Sequence, residues 1–440
     1  MNEFFHSVTL DEDICMGCTN CIKKCPTQAI RLRNGKAWIK SELCIDCGEC
    51  IKACPYHAKS AKTDSIDELK SYKYAIALPA PSLYGQFKNL EDIDYVLTGL
   101  TMLGFDDVYE VSVGAELVSD ATRKLMQERK LNTPVISSAC PAVMRLIRIK
   151  YPSLCDHVLP LLPPMEIAAH NAKKKAQQET GFRKEDIGVF FISPCPAKVT
   201  DVRAPITNKF SWVDKVLSIS RVYPLLLEKM NKIKTPLSLS QSGLIGVSWA
   251  KSGGEASALI KEKYLSADGI ENVIAVLEEM DNEHLGELDF IELNACSGGC
   301  VGGLFTVENP YVAQARVNQL RKYLPISANH LDSGQKPCEP QDLYNESRLE
   351  YKSVLPLSNN IIDAMNMMNN IDVIYKKLPG LDCGSCGAPT CRALAEDIAR
   401  GEARKSDCVF FVFNTIMRDN PDISTEKLKH VISKWKGLPK

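Results

Sequence analysis

The sequence lacks the features that would place the protein in a membrane or outside the cell. No apolar run reaches the roughly 18 residues that a helix needs to span a bilayer. The first residues, MNEFFHSVTLDEDIC, lack the basic region and the apolar core of a secretory signal peptide. We therefore expect a cytoplasmic protein with no membrane span.

Net charge is nearly absent as well. The chain has 53 Lys and Arg residues against 54 Asp and Glu residues, so its formal net charge at pH 7 is −1. Such a balance gives no general attraction to nucleic acid or to an anionic membrane surface, and neither is expected as a partner. At 440 residues, the chain is long enough for about three domains.

Cysteine, by contrast, is abundant, with 18 residues in the chain. Because no secretory signal is found, these cysteines are not expected to form a disulfide framework. Metal binding is the more typical use of such a set in a reducing compartment. All but two of the cysteines fall into three groups. The two others, Cys155 and Cys338, we interpret as small buried or partly buried thiols.

The first group forms an internal repeat within residues 1–66. The pattern C-x2-C-x2-C-x3-C-P occurs twice, as CMGCTNCIKKCP and as CIDCGECIKACP. This is the bacterial ferredoxin run, in which the fourth cysteine of each repeat binds the cluster of the other repeat. A zinc site would leave the repeat and its prolines unexplained. The pattern therefore predicts two four-iron clusters, one held by Cys15, Cys18, Cys21 and Cys54 and the other held by Cys25, Cys44, Cys47 and Cys50.

Between residues 73 and 357, apolar runs alternate with helical patterns. This alternation predicts an α/β fold built on mostly parallel strands. The predicted strands are 74–78, 108–113, 134–137, 189–192, 244–247 and 290–293. The predicted helices include 115–129, 164–178 and 310–323. Ligands of such sheets lie beyond the carboxyl ends of the strands, which is where Cys140, Cys195 and Cys296 fall.

The last group of cysteines follows a predicted helix over residues 358–377. Its members, Cys383, Cys386, Cys391 and Cys408, have the spacing C-x2-C-x4-C-x16-C. Residues 358–440 resemble the small four-cysteine domain of electron-transport and corrinoid proteins, where that domain binds one more four-iron cluster. The alternative is a zinc knuckle.

The middle group consists of cysteines in three separate motifs. Cys140 lies in SSACP, Cys195 lies in SPCPAK, and Cys296 and Cys300 lie in ELNACSGGC. Together with an upstream APS tripeptide, these motifs resemble the active-site domain of the iron-only ([FeFe]) hydrogenases, from residue 73 to about residue 325. The fused ferredoxin repeat agrees with this resemblance.

The resemblance implies a two-lobed α/β domain that holds the H-cluster of the family. The four cysteines of the middle group would bind a four-iron cubane. Cys300 would also bridge this cubane to a two-iron unit that carries carbon monoxide, cyanide and a dithiolate. Ser82 and Lys198 would hydrogen-bond the cyanides, with Pro81 beside them, so that Cys300, Lys198 and Ser82 are the expected catalytic residues. Taken without the resemblance, Lys198 would be an ordinary exposed lysine.

The departures from the family pattern concern proton transfer above all. Ala139 stands where the family has a cysteine that carries protons to the two-iron unit, and a methyl group cannot do so. The helix that supplies acidic relay residues contains Glu116 and Asp120 here, and the alignment of these acids with the family pattern stays open. Ser193 and Asn294 replace methionines, which predicts a more polar pocket. This pattern is similar to the divergent sensory branches of the family.

The function that we predict is reversible hydrogen oxidation and proton reduction with low turnover, used for hydrogen sensing or redox signalling in an anaerobe. Two alternatives stay open: an iron–sulfur assembly factor, and an electron-transfer protein without the two-iron unit. The expected cofactors are three [4Fe–4S] clusters and the H-cluster. The expected partners are hydrogen, protons and a ferredoxin-like redox protein, and a homodimer is compatible with the sequence.

Overall fold

The computed structural model describes residues 5–331 and 340–419, so Cys338 lies outside the described residues. Its strands are β1 (Val8–Leu10), β2 (Ile30–Arg33), β3 (Lys36–Ile39), β4 (Lys59–Ala61), β5 (Tyr74–Pro79), β6 (Asp107–Val108), β7 (Val135–Ile136), β8 (Ile187–Ser193), β9 (Lys215–Ser218), β10 (Tyr264–Asp268) and β11 (Phe290–Asn294). Its α-helices are α1 (Asn20–Lys23), α2 (Glu49–Lys52), α3 (Asp94–Met102), α4 (Val111–Gln127), α5 (Pro141–Lys150), α6 (Pro164–Thr180), α7 (Pro196–Arg203), α8 (Ile219–Met230), α9 (Leu244–Ser248), α10 (Gly254–Ala258), α11 (Ile270–Asp281), α12 (Pro310–Leu320), α13 (Ile361–Tyr375), α14 (Cys391–Ala399) and α15 (Val409–Asp419). Within the described ranges, no helix is both long enough and apolar enough to cross a membrane.

Two compact units make up the described part of the chain. The first unit takes the described residues of the ranges 1–8, 45–48 and 61–352, and the second unit takes those of 9–44, 49–60 and 353–440. Most of the ferredoxin-like repeat therefore shares the second unit with the C-terminal cysteines.

Two parallel sheets form the framework of the first unit, as the alternating sequence pattern predicts. One sheet has the strand order β6-β5-β8-β9, and the other has the order β10-β11-β7. Every strand pair in both sheets is parallel. β5 and β8 are buried along nearly their whole length, because apolar side chains occupy both faces of a sheet that helices cover. Their register places Pro79 opposite Ile192, so the carboxyl ends of both strands lie side by side.

Four of the predicted strands are confirmed, as β5, β7, β8 and β11. The predicted helices are confirmed as α4, α6, α12 and, near the C-terminus, α13, with ends shifted by a few residues. Cys155 is buried as predicted, and its thiol lies 3.8 Å from the carbonyl oxygen of Tyr151. The periodic and strongly apolar segments are thus the ones that the sequence predicts correctly.

Two predicted strands are wrong. Residues 108–113 contain only the last residue of β6, since α4 begins at Val111, and residues 244–247 belong to α9. An apolar run of four to six residues has no periodicity that separates a strand from a buried helix. Close packing decides the second case: a Cβ atom on Gly246 would lie 2.2 Å from the carbonyl oxygen of Ser112, so α9 lies directly on α4. The short strands β9 and β10 were not predicted.

The second unit contains the hairpin of β2 and β3 and three C-terminal helices. β2 and β3 are antiparallel, with Ile30 opposite Ile39. α13 packs against α14 through a small apolar core that includes Ile371, Ile374 and Leu394. Cys391 and Cys408 are buried in the same core, which places the last group of cysteines at its centre.

Candidate functional site

The central cysteines follow the strands of the two parallel sheets, as the sequence predicts. Cys195 lies between β8 and α7, and Cys140 follows β7 and directly precedes α5. Cys296 and Cys300 lie in the turn after β11. At the N-terminus of α7, the backbone N–H groups of Ala197 and Lys198 lower the pKa of Cys195.

Ionised thiols are costly at this site. Burial raises the pKa of Cys195 to about 11 and the pKa of Cys300 to about 12. The neighbouring Cys140 contributes to both increases, and the ammonium of Lys198 opposes both. Several thiolates are stable here only beside a compensating cation. Such a set of sulfur donors suits an iron–sulfur cluster, for which thiolates are the usual ligands.

Lys198 is buried rather than exposed. Only 9% of its surface is accessible, and its Nζ atom donates a hydrogen bond of 2.9 Å to the carbonyl oxygen of Ala139. This lysine lies in the first turn of α7, three residues after Cys195, and reaches the loop that precedes Cys140. The interpretation of Lys198 as an ordinary surface lysine is wrong, because its side chain bridges the loops of two predicted ligands.

Ser82 is fully buried in the 3-10 turn Pro81–Gln86, which follows β5. Its hydroxyl group has no hydrogen-bond partner among the described residues. The turn packs against a second turn, Cys300–Gly302, which holds the predicted bridging cysteine. An unsatisfied buried hydroxyl costs about 1–3 kcal/mol, so a ligand that accepts its hydrogen would stabilise the site. The surroundings of Ser82 therefore fit a ligand with acceptor groups, such as cyanide.

The two polar residues that replace family methionines have partners within the protein. The hydroxyl of Ser193 donates to the carbonyl oxygen of Cys195 and accepts its N–H, at 3.1 and 3.2 Å. The Nδ2 atom of Asn294 donates to the carboxylate of Glu292 at 2.8 Å. These bonds hold the chain next to Cys195 and Cys296, a role that the substitution pattern alone does not indicate.

The acidic side chains of α4 also have structural partners. The carboxylate of Glu116 accepts hydrogen bonds from the backbone N–H groups of Gly243 and Ala328, at 2.8 and 3.1 Å. The carboxylate of Asp120 pairs with the guanidinium of Arg123 on the same helix at 3.1 Å and accepts the N–H of Leu331 at 3.0 Å. Both groups therefore connect α4 to its surroundings, and neither contacts the central cysteines through these bonds.

A buried carboxyl group that the sequence did not reveal is connected to Ala139. Glu255, on α10, accepts a hydrogen bond of 2.5 Å from the hydroxyl of Ser137, and that hydroxyl accepts the N–H of Ala139 at 3.2 Å. Burial, together with the carboxylate of Glu292, raises the pKa of Glu255 to about 8. A carboxyl group of this kind can give and take a proton near neutral pH. No motif marks Glu255, and only the folded chain brings it to this position.

In the second unit, the cysteines predicted to bind the first ferredoxin cluster surround a single cavity of about 360 Å³. Leu32 lines this cavity too. The cysteines in its wall are Cys15, Cys18, Cys21 and Cys54. The cavity thus brings together three cysteines of one repeat and the fourth cysteine of the other, as the crossed pattern predicts. Their role as cluster ligands stays a prediction.

The second predicted set of ferredoxin ligands is divided between the two units. Cys47 belongs to the first unit, whereas Cys25, Cys44 and Cys50 belong to the second. Within the first unit, Ile45 is buried in an apolar cluster against which Cys47 packs. The assignment of this set to one cluster also stays a prediction.

The last group of cysteines lines a cavity of about 300 Å³ in the second unit. The cysteines in its wall are Cys383, Cys386, Cys391 and Cys408. A tetrahedral zinc ion with Zn–S bonds of about 2.3 Å would hold its sulfur atoms about 3.8 Å apart. In the part of the chain that the structure describes, no three of these sulfur atoms lie within 4.8 Å of one another. The assignment of this set to a four-iron cluster rather than to a zinc ion stays a prediction.

Comparison with known families agrees with this geometry. Residues 73–261 and 248–304 match the family described as iron only hydrogenase large subunit, C-terminal domain, which covers more than half of the chain. The chain belongs to the iron-only hydrogenase family. In this member of the family, residues 7–55 also match a 4Fe-4S dicluster domain, and residues 378–410 match the family named FeS.

Three curated hydrogenases resemble this family member in sequence. Iron hydrogenase 1 of Clostridium pasteurianum is 22% identical over 374 residues, and the match covers 69% of this chain and 65% of the relative. The periplasmic [Fe] hydrogenase large subunit of Nitratidesulfovibrio vulgaris is 30% identical over 212 residues, and the match covers 44% of this chain and 50% of the relative. A subunit of the NADP-reducing hydrogenase of Solidesulfovibrio fructosivorans is 23% identical over 357 residues, and the match covers 67% of this chain and 56% of the relative. The chain spans less than two thirds of the length of each of these relatives.

Solved structures of the family share the fold. A variant of the [FeFe]-hydrogenase from Chlamydomonas reinhardtii superimposes with a TM-score of 0.50 at 15% identity, over 63% of this chain and 94% of that chain. At this level of identity the likeness concerns the fold alone. The predicted architecture, with an N-terminal iron–sulfur domain, a central α/β hydrogenase domain and a C-terminal iron–sulfur domain, is confirmed.

Proposed function

We propose that this chain binds the H-cluster of its family and interconverts hydrogen with protons and electrons at low turnover, as a hydrogen sensor or redox signal. One observation supports this proposal most strongly. Half-buried thiols, the buried ammonium of Lys198 and the unsatisfied hydroxyl of Ser82 occur together at the strand ends of a hydrogenase-type domain. A domain that only relays electrons would have no use for the last two groups.

In this proposal Cys140, Cys195, Cys296 and Cys300 would hold a cubane, and Cys300 would also be a ligand of the two-iron unit. The hydroxyl of Ser82 and the ammonium of Lys198 would hydrogen-bond the cyanide ligands of that unit, with Pro81 beside them. When bound, the complete centre would supply the redox chemistry of hydrogen. The protein supplies a pocket of low polarity, in which a charge-assisted hydrogen bond to cyanide is stronger than in water.

Electrons reach the central site through the ferredoxin-like repeat in this proposal. Within the first unit, the carboxylate of Asp46 accepts hydrogen bonds from the N–H groups of Ser7 and Val8, at 3.0 and 3.1 Å. The hydroxyl of Thr200, on α7, donates to the same carboxylate. Because α7 begins directly after Cys195, these bonds anchor the loop of the second repeat beside a central ligand.

Protons reach the site through Glu255 in this proposal, in place of the missing cysteine at position 139. The bonds from Glu255 through Ser137 to Ala139 connect a buried carboxyl group to the loop next to Cys140. A backbone N–H does not pass a proton on, so the last step from Glu255 to the site has to go through water, and we expect proton transfer to be slow. Slow transfer suits a sensor, which has to bind hydrogen but does not have to consume it in bulk.

Replacement of Glu255 by glutamine is expected to lower hydrogen turnover about 10²-fold, since general acid–base groups typically contribute ~10²–10⁴-fold. The amide oxygen can still accept the hydroxyl of Ser137, so the fold should be retained. Hydrogen evolution with a reduced dye measures the effect. Glu116→Gln is the matched control, because it changes a buried carboxylate with structural partners and should keep its turnover. Equal turnover in Glu255→Gln and the natural protein would rule out this path.

Replacement of Lys198 by alanine is expected to weaken retention of the two-iron unit, because a lost charge-assisted hydrogen bond costs about 1.5–3 kcal/mol. The infrared band intensity of iron-bound carbon monoxide per chain measures retention. Lys173→Ala is the control, since Lys173 is equally buried but pairs with Asp214 at 2.7 Å. That variant should lose stability and keep its bands. Full band intensity in Lys198→Ala would contradict the assigned role.

Infrared spectroscopy of the matured protein tests the proposed function as a whole. We expect bands from carbon monoxide and cyanide bound to iron, and weak hydrogen evolution in the same sample. A protein that holds all of its four-iron clusters but shows no such bands would be an electron-transfer protein or an assembly factor instead. Rapid hydrogen turnover with normal bands would contradict the sensory role alone.

A further inference from the structure

The C-terminal helix α14 is joined to the ferredoxin-like repeat by one buried carboxylate, within the second unit. Asp397, on α14, is completely buried. Its oxygens accept hydrogen bonds from Arg31 at 2.6 and 3.2 Å, from Arg33 at 2.9 Å and from Lys40 at 3.0 Å. Lys40 also bonds to the carboxylate of Glu402 at 2.9 Å. A single acid of the C-terminal domain therefore binds three cations. Two of them, Arg31 and Arg33, lie on β2, and the third, Lys40, directly follows β3.

The cations of this network stabilise the ionised form of Asp397. Burial alone would raise the pKa of Asp397, but Arg31 and Lys40 hold it below its usual range. Removal of water from such groups is expensive, so a buried ion pair is weak evidence for stability by itself. The best supported use of such a network is to select one arrangement of the elements that it joins, because any other arrangement leaves a buried charge without a partner.

A second contact brings the two cysteine cavities of this unit close together. The backbone N–H of Leu32 donates to the carbonyl oxygen of Gly387 at 2.8 Å. Gly387 has a φ of +83°, and a Cβ atom there would lie 2.3 Å from the carbonyl oxygen of Leu32, so only glycine fits. Leu32 lines the cavity of the first ferredoxin cysteines. Gly387 directly follows Cys386, which lines the C-terminal cavity.

We infer that Asp397 is a positioning residue that joins the C-terminal cysteines and the first ferredoxin cysteines into one electron-transfer module. The hydrogen bond between Leu32 and Gly387 connects the walls of the two cavities directly, whereas the ion pairs of Asp397 connect the elements around them. The inference rests on the proposed function, since both cavities have to hold four-iron clusters. An electron that passes between them oxidises one centre as it reduces the other and needs no further reactant. The C-terminal domain is then the electron carrier next to the first ferredoxin cluster.

The test compares the natural full-length chain with Asp397→Asn after both have been loaded with iron and sulfide and reduced. We expect the electron paramagnetic resonance spectrum of the natural protein to show magnetic interaction between neighbouring clusters. Asp397→Asn should lose the part of this interaction that involves the C-terminal cluster while keeping its iron. Glu396→Gln is the control on the same helix, because Glu396 pairs with Arg400 and not with the repeat. It should give the natural spectrum.

Amide hydrogen exchange gives a second measurement that does not depend on the clusters. The N–H of Leu32 is bonded to Gly387, so it should exchange slowly in the natural chain and in Glu396→Gln. It should exchange much faster in Asp397→Asn. If the asparagine variant does not fold, Arg33→Gln, which removes the most exposed of the three cations, should show the same change to a smaller extent.

Cys408→Ser separates failure of this inference from failure of the proposed function. The variant should lose about four iron atoms per chain and the interaction assigned to the C-terminal cluster. Unchanged iron content would show that this domain holds no cluster, which contradicts the proposed cofactors. Lost iron with an unchanged interaction would overturn the inference alone, as would equal spectra and equal exchange of Leu32 in Asp397→Asn and the natural chain.

Discussion

Replacement of Cys300 by serine is expected to abolish the infrared bands of iron-bound carbon monoxide and cyanide. Cys300 is the proposed bridge between the cubane and the two-iron unit, and a hydroxyl group is a poor substitute for a soft thiolate ligand of iron. Its turn packs against the turn of Ser82, so the loss should be local to this site. The effect should be complete, because the remaining contacts to the two-iron unit are hydrogen bonds.

The ferredoxin clusters should survive in Cys300→Ser, since the first set of their cysteines lines a separate cavity in the other unit. Visible absorption and paramagnetic resonance after reduction check this point. Cys155→Ser is the matched control: Cys155 is buried but belongs to none of the three groups. That variant should keep all bands. Bands that persist unchanged in Cys300→Ser would show that the bridge has been assigned to the wrong residue.

Replacement of Ala139 by cysteine is expected to raise hydrogen turnover, by as much as about 10²-fold. A thiol has an ordinary pKa near 8.5 and can exchange protons at neutral pH, whereas a methyl group cannot. The N–H of residue 139 already bonds to Ser137, which in turn bonds to Glu255. A thiol at this position would therefore lie close to a buried carboxyl group that can resupply its proton.

Ala139→Ser is the control for this substitution, because serine has nearly the size of cysteine without its acidity. Hydrogen evolution and uptake should rise in Ala139→Cys and stay low in Ala139→Ser. A double variant with Glu255→Gln should lose most of the gain if Glu255 supplies the proton. No gain in Ala139→Cys, with normal infrared bands, would place the limiting proton step elsewhere in the protein.

The predicted ligand groups depended on local chemistry, which is why the sequence was sufficient to recognise them. Cys15, Cys18 and Cys21 lie close together in one short segment of the sequence. The crossed ferredoxin pattern predicts Cys54 as the fourth member of the set, and Cys54 lines the same cavity. Cys195 and Cys296 follow apolar strands, and ligands collect at the carboxyl ends of such strands. These inferences need only short spacings and the direction of parallel strands.

The secondary-structure predictions failed where an apolar run was too short to show the hydrophobic periodicity of a helix or of a strand. Leu244–Ser248 forms a helix because Gly246 allows it to lie on Ser112 of α4, and nothing in the sequence of that run identifies its neighbour. The sequence also left open the alignment of the α4 acids with the proton relay of the family, and in the structure Glu116 is held by N–H groups more than a hundred residues away in the chain. Long-range partners decide the role of such residues.

The sequence by itself determined the family, the three groups of cysteines and the absence of the proton-carrying thiol at Ala139, because each is written in short motifs. Only the tertiary structure decided that Lys198 is buried, that Glu255 connects to Ala139, and that Asp397 joins the C-terminal helices to the ferredoxin-like repeat. Each of these depends on burial and on partners distant in sequence. Burial makes charges costly unless they are paired, and the pairing is created by the packing of the chain rather than by any local pattern.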